Sequence, residues 1–83
     1  MSHILIVDDE MKIREIIKKY AIFEGHEVSE ASCGLDAVNI CRDKQFDIII
    51  LDIMMPDLDG FSDCKEIRKV CNTPVIMLSA RGE

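Results

Sequence analysis

No apolar stretch in this chain approaches the roughly 20 residues of a bilayer-spanning helix, so no membrane span is expected. Excess positive charge is missing as well. A formal net charge of -6 argues against gripping nucleic acid or an anionic membrane through overall charge. No secretory signal precedes the first apolar run, which makes a cytoplasmic location the expectation. Internal repeats, low-complexity tracts and linkers are absent, and so is a Gly-rich phosphate loop. Glycine and proline are scarce, at four and two, and they punctuate the chain at a few points only.

What remains is enough for one small domain. The 83 residues are 48% hydrophobic and 31% charged, ordinary for a globular chain and too apolar for disorder. Four cysteines in so short a sequence raise the question of a disulfide framework. Cys33, Cys41, Cys64 and Cys71 show no paired metal-ligand spacing and accompany no secretory signal, so reduced, partly buried thiols are expected. His3 and His26 have no third ligand nearby and read as surface or turn residues.

The most informative residue is Asp52. It ends the run Asp47-Ile48-Ile49-Ile50-Leu51-Asp52-Ile53, whose short β-branched character reads as a strand buried on both faces. A carboxylate at the end of such a strand is costly to bury without a partner. The pattern occurs once more, in Ile4-Leu5-Ile6-Val7 followed by Asp8-Asp9. Two buried strands ending in acid bring three carboxylates toward one sheet edge. Like charges that close repel, so the arrangement asks for a divalent cation or a proton.

The rest of the chain alternates helix and strand. A helix is predicted from about Glu10 to Glu24, with Ile13, Ile16, Ile17, Tyr20 and Phe23 on its inner face. Asp8 or Asp9 would cap its start and Gly25 would stop it. Glu27–Ala31 alternates polar and apolar, as a half-exposed edge strand does. A second helix is expected from about Leu35 to Lys44, capped by Ser32, with Leu35, Val38 and Cys41 or Ile40 facing in. The breaker-rich loop Met55-Pro56-Asp57-Leu58-Asp59-Gly60 follows the Asp52 strand. A third helix then runs from about Gly60 to Val70, using Phe61, Cys64 and Ile67 or Arg68, and Pro74–Leu78 forms a fourth strand. Asp57 and Asp59 read as loop and cap residues, Glu10 as a first-turn helical acid, and Met54, Met55 and Met77 as packing or rim residues.

Such alternation gives right-handed βαβ units and a parallel sheet. The edge character of the second strand fits a flavodoxin-like α/β fold, doubly wound, with strand order 2-1-3-4. In that order the crevice between strands one and three is the ligand site, and Asp8, Asp9 and Asp52 all fall there. The fourth strand is as apolar as the central ones, yet nothing is left to pair with its outer edge, which invites association. One face of the central strands would have only the first helix to cover it.

Three segments, Ile-Leu-Ile-Val-Asp-Asp-Glu at 4–10, Leu-Asp-Ile-Met-Met-Pro-Asp-Leu-Asp-Gly at 51–60 and Pro-Val-Ile-Met-Leu-Ser-Ala-Arg at 74–81, together resemble the receiver domain of two-component response regulators. The ending Leu-Ser-Ala-Arg-Gly-Glu is most similar to the OmpR/PhoB-type subfamily. The resemblance covers residues 1–83 as an incomplete receiver domain, truncated at its C-terminus, with the fifth strand and last two helices absent. It implies that Asp52 accepts a phosphoryl group from a sensor histidine kinase. It also implies that Asp9 ligates Mg2+ directly, Asp8 through water, and the Met54 carbonyl beside them. Ser79 matches the switch hydroxyl and Ala80 its small neighbour. The family's phosphoryl-pairing lysine, its aromatic switch residue, its dimerisation face and its DNA-binding effector domain would lie beyond Glu83. Contact with DNA is accordingly expected through that effector domain and not through this segment.

The leading expectation is therefore a regulated phosphoacceptor switch, not an enzyme with turnover on external substrates. An alternative is a binding or assembly fragment that is not phosphorylated and forms a homodimer through its open fourth-strand edge. A third is a Mg2+-dependent phosphohydrolase with an aspartate nucleophile. That chemistry wants a second acid two residues on, where Met54 stands.

Overall fold

The computed structural model describes residues 1–53 and 59–79, with the side chains of 53, 59–61 and 79 outside the description. Four strands and three helices alternate: β1 (His3–Val7), α1 (Met11–Phe23), β2 (Glu27–Ala31), α2 (Gly34–Asp43), β3 (Ile48–Ile53), α3 (Asp59–Val70) and β4 (Val75–Ser79). The strands form one parallel sheet in the order β2-β1-β3-β4. This is the expected order, and element ends differ from the sequence reading by a residue or so.

Residue parity on the strands divides the core in two. Leu5 and Val7 on β1 and Ile49 and Leu51 on β3 point to the face covered by α2 and α3, where they meet Ala37, Val38, Cys41, Phe46 and Ile67. Ile4 and Ile6, with Ile48 and Ile50, point to the opposite face, where Ala21 and Ile17 of α1 meet them. The first layer is the larger and drier. Leu5, Ile49 and Ile67 have no solvent exposure there, each adding about 1.5–3 kcal/mol of apolar burial.

The second layer is only partly covered, and this corrects the inner face assigned to α1. Ile16, Tyr20 and Phe23 are exposed, Phe23 at 85%. The stripe that touches the sheet is Ile17 and Ala21, because a small alanine lets the helix axis approach the sheet closely. On β4, Ile76 and Leu78 lie across from Ile50 and Asp52 and are also exposed. On α2, Leu35 is exposed where burial was expected. Val38 and Cys41 are buried as expected, and Gly34 and Ala37 are buried with them, since α2 meets α3 along that line. A Cβ on Gly34 would collide with the Asp63 carboxylate, so a side chain there requires Asp63 to shift.

The caps also differ from expectation. Glu10 is the N-cap of α1 and Cys33 that of α2, neither with a side-chain cap bond. Asp8 accepts from the Glu10 N–H, and the Ser32 hydroxyl donates to Asp36. Gly25 does stop α1, at φ +90, with its N–H donating to the Ile22 carbonyl at 2.9 Å. His3 is a strand residue, not a turn residue. Its ring packs edge-on to Phe46 and its Nε2 lies 3.0 Å from the Ser29 hydroxyl. His26 is half-buried and accepts from the Ser2 N–H through Nδ1.

Candidate functional site: an acid crevice between β1 and β3

Asp8 and Asp52 come together because of strand register. Val7 of β1 lies across from Leu51 of β3, so the next residue on each strand is an aspartate. Both continue the parity of Ile4, Ile6, Ile48 and Ile50, which directs them to the α1 face. Asp8 is tied by its main chain as well, its N–H donating to the Ala31 carbonyl at 3.1 Å. The sheet thus holds both acids on its rigid C-terminal edge, at the switch point between β1 and β3.

Asp8 is 2% exposed. Its Oδ1 accepts from the Glu10 N–H at 2.8 Å, while its buried Oδ2 has no hydrogen-bond partner among the described residues. A buried, unpartnered carboxylate oxygen is expensive. The Asp52 carboxyl is within hydrogen-bonding reach of Asp8 and is pushed up to about 7. Burial contributes most, then the Asp8 hydrogen bond and charge, then the charges of Asp9 and Glu10. Two ionised carboxylates are both acceptors and cannot bond each other. A proton on Asp52, or a cation between them, resolves the conflict.

Asp9 is exposed at the rim of the crevice, and its charge reaches Asp52. No three side chains of the His, Cys, Asp and Glu types are gathered as a ready ligand set among the described residues. Asp8 and Asp52 adjoin, and Asp9 stands outside them. The Met54 carbonyl and Ala80 lie outside the described residues. Ser79 ends β4 opposite Ile53, one step beyond the Asp52–Leu78 pair and on the same sheet edge. Its hydroxyl is outside the description, as are the loop residues Met55, Pro56 and Asp57.

Arg14 is a supporting residue that the sequence reading missed. Its Nη1 donates to the Asp8 carbonyl at 2.5 Å and its Nε to Glu30 Oε1 at 3.0 Å. Lys18 Nζ reaches the other Glu30 oxygen at 3.2 Å. The Lys18 bond, ahead of Arg14, holds the Glu30 carboxyl below its ordinary range despite the opposing effect of burial. This network fastens the β1 end to β2 and α1. Its signal lay in the alternation of β2, which puts Glu30 on the α1 face with Val28, and in Arg14 and Lys18, one helical turn apart on α1, which both reach it.

The model of the response regulator receiver domain family matches residues 4–83. The chain belongs to that family. This receiver is 43% identical over 83 residues to the transcriptional regulatory protein CpxR homolog of Haemophilus influenzae, covering 100% of this chain and 36% of that protein. It spans about a third of the length of the curated relatives it matches, which are OmpR/PhoB-like transcriptional regulators. Among solved structures, it resembles the response regulator TrrA of Thermotoga maritima in complex with Mg2+-BeF. That match has 40% identity and a TM-score of 0.84, over 96% of this chain and 70% of that one. It is likewise similar to a chain of the complex between histidine kinase ThkA and TrrA, at 38% identity and a TM-score of 0.86. There it covers 100% of this chain and 72% of the other. No helix among the described residues is long and apolar enough to cross a membrane.

Proposed function

We propose that residues 1–83 act as the phosphoacceptor part of a cytoplasmic response regulator, with Asp52 taking a phosphoryl group from a sensor histidine kinase. The observation that carries this reading is the pairing of Asp52 with a buried Asp8 whose Oδ2 lacks a hydrogen-bond partner among the described residues. Such a donor set, rich in carboxylate oxygen, fits Mg2+. Asp8, Asp9, Asp52 and the Met54 carbonyl would hold the ion. When bound, Mg2+ neutralises charge on the crevice acids and on the transferring phosphoryl oxygens. Asp52, deprotonated, supplies the attacking carboxylate oxygen. Asp8 stands buried beside Asp52, and Arg14 fixes the Asp8 main chain. The Ser79 hydroxyl donates to the phosphoryl oxygen once it is in place, and Ala80 leaves room for it. The relatives being transcriptional regulators, the output passes to a DNA-binding effector domain, and the receiver is a switch without turnover on external substrates. The Mg2+-BeF complex of TrrA and its complex with a histidine kinase favour the same chemistry.

Incubation with acetyl phosphate and Mg2+ tests this. One phosphoryl group should add to the chain, none without Mg2+ and none in Asp52→Asn. Equal labelling of Asp52→Asn would refute the assignment.

A second reading, assembly of two copies without phosphorylation, is favoured by one observation. Among the described residues β4 has only β3 beside it, and Ile76 and Leu78 are 46% and 40% exposed. Light scattering decides this: a concentration-independent monomer contradicts it.

A further inference from the structure

Cys41 and Cys71 are not used by the phosphoacceptor chemistry, yet the fold brings them together across 30 positions of sequence. Cys41 lies buried near the C-terminal end of α2, and Cys71 follows α3 half-buried against the same core cluster. Both side chains line one cleft, and the Cys71 thiol is near enough to act on that of Cys41. The backbone on both sides is fixed. The Cys71 N–H donates to the Ile67 carbonyl at 3.0 Å and the Lys44 N–H to the Ile40 carbonyl at 2.9 Å. The Thr73 hydroxyl donates to the Phe46 carbonyl at 3.2 Å. Both cysteines line an open cleft of about 590 Å3 at the end of the sheet opposite the acid crevice, together with Lys44, Phe46 and Thr73.

We infer that Cys41 and Cys71 form a reversible disulfide when hydrogen peroxide enters this cleft, a modification site separate from Asp52. Cys71 is the thiol that solvent reaches, so its thiolate attacks the peroxide. The O–O bond breaks, one oxygen leaves as water after taking a proton, and Cys71 becomes a sulfenic acid. The Cys41 sulfur then attacks the Cys71 sulfur, expelling the second oxygen as water and closing the S–S bond. In sum two thiols lose two hydrogens and two electrons, and the peroxide is reduced to two waters. Burial, and then the neighbouring Cys71, push the Cys41 thiol up to about 11. Cys41 therefore resists direct oxidation, and the closing step accelerates with rising pH. The bond ties α2 to the α3–β4 connection and restrains α3, the helix that follows the Asp52 strand. Cys33 is exposed just before α2.

The test is hydrogen peroxide treatment of the whole chain, followed by thiol titration and non-reducing peptide mapping. The thiol titre should halve, a Cys41–Cys71 linked peptide should appear, and dithiothreitol should restore all four thiols. Asp52→Asn should behave identically, which separates this inference from the phosphoacceptor reading. Cys71→Ser should abolish the link and leave Cys41 reduced. Cys41→Ser should leave a Cys71 sulfenic acid that dimedone traps. The peptide map of the unmutated chain decides the matter even if Cys41→Ser fails to fold. Links through Cys33 or Cys64, links only between molecules, or hyperoxidised Cys71 beside reduced Cys41 would each overturn the proposal.

Discussion

Replacing Asp52 by asparagine should stabilise the metal-free receiver at pH 8 and change it little near pH 4. Burial beside Asp8, Asp9 and Glu10 pushes the Asp52 carboxyl from its ordinary 3.8 up to about 7 in the folded chain. The unfolded chain releases this proton near pH 3.8 and the folded chain near 7. Between those values the folded state holds more protons, so stability falls as pH rises. The penalty is absent below about pH 3.8 and complete above about 7. At about 1.4 kcal/mol per pH unit the ceiling is about 4 kcal/mol. Asp52 is only half-buried, and solvent screening reduces this to on the order of 1–2 kcal/mol. In a domain of this size each kcal/mol moves the melting midpoint by about 4–8 °C. Thermal melts in EDTA at pH 4 and pH 8 measure it. Equal shifts at both pH values, or a lower midpoint for Asp52→Asn at pH 8, would refute the electrostatic account.

Other substitutions probe the frame around the crevice. Ile67→Ala should cost about 2–5 kcal/mol in urea unfolding, because Ile67 is fully buried where α3 meets the sheet; a cost near zero would mean α3 does not dock there. Gly25→Ala should cost about 1 kcal/mol by the same measurement, since its φ of +90 is strained for any side chain although space is open around it. Arg14→Met should cost about 1 kcal/mol and speed hydrogen exchange at the Asp8 amide, as the Asp8 carbonyl and Glu30 lose their shared donor; unchanged exchange would show that the network does not hold the β1 end.

The parallel sheet and its strand order were legible because β1 and β3 are short, apolar and β-branched, while β2 alternates. The acids at the strand ends were legible for the same reason: Asp8 and Asp52 interrupt apolar runs, and register alone then makes them neighbours. Helix faces were harder to read. Periodicity marked Ile16, Tyr20 and Phe23 as an inward stripe, but α1 has more apolar positions than the sheet beneath it covers, and closeness of approach selects Ala21 instead. Leu35 was misplaced likewise, since the crossing of α2 over α3 is set by the small Gly34 and Ala37. The cap was misplaced because Asp8 accepts from the Glu10 N–H, ahead of the helix, while Glu10 itself is the N-cap without a side-chain cap bond. Arg14 and Glu30 are separated in sequence and meet only once β2 has paired with β1.

The central claim is that Asp8, Asp9 and Asp52 share one divalent cation beside the residue to be phosphorylated. Calorimetric titration of the chain with Mg2+ at pH 6 and pH 8 tests it most directly. One ion should bind, more tightly at pH 8 because Asp52 must first lose its proton, and Asp8→Asn and Asp52→Asn should each abolish the heat. Undiminished binding by Asp52→Asn, or affinity that does not change with pH, would contradict it.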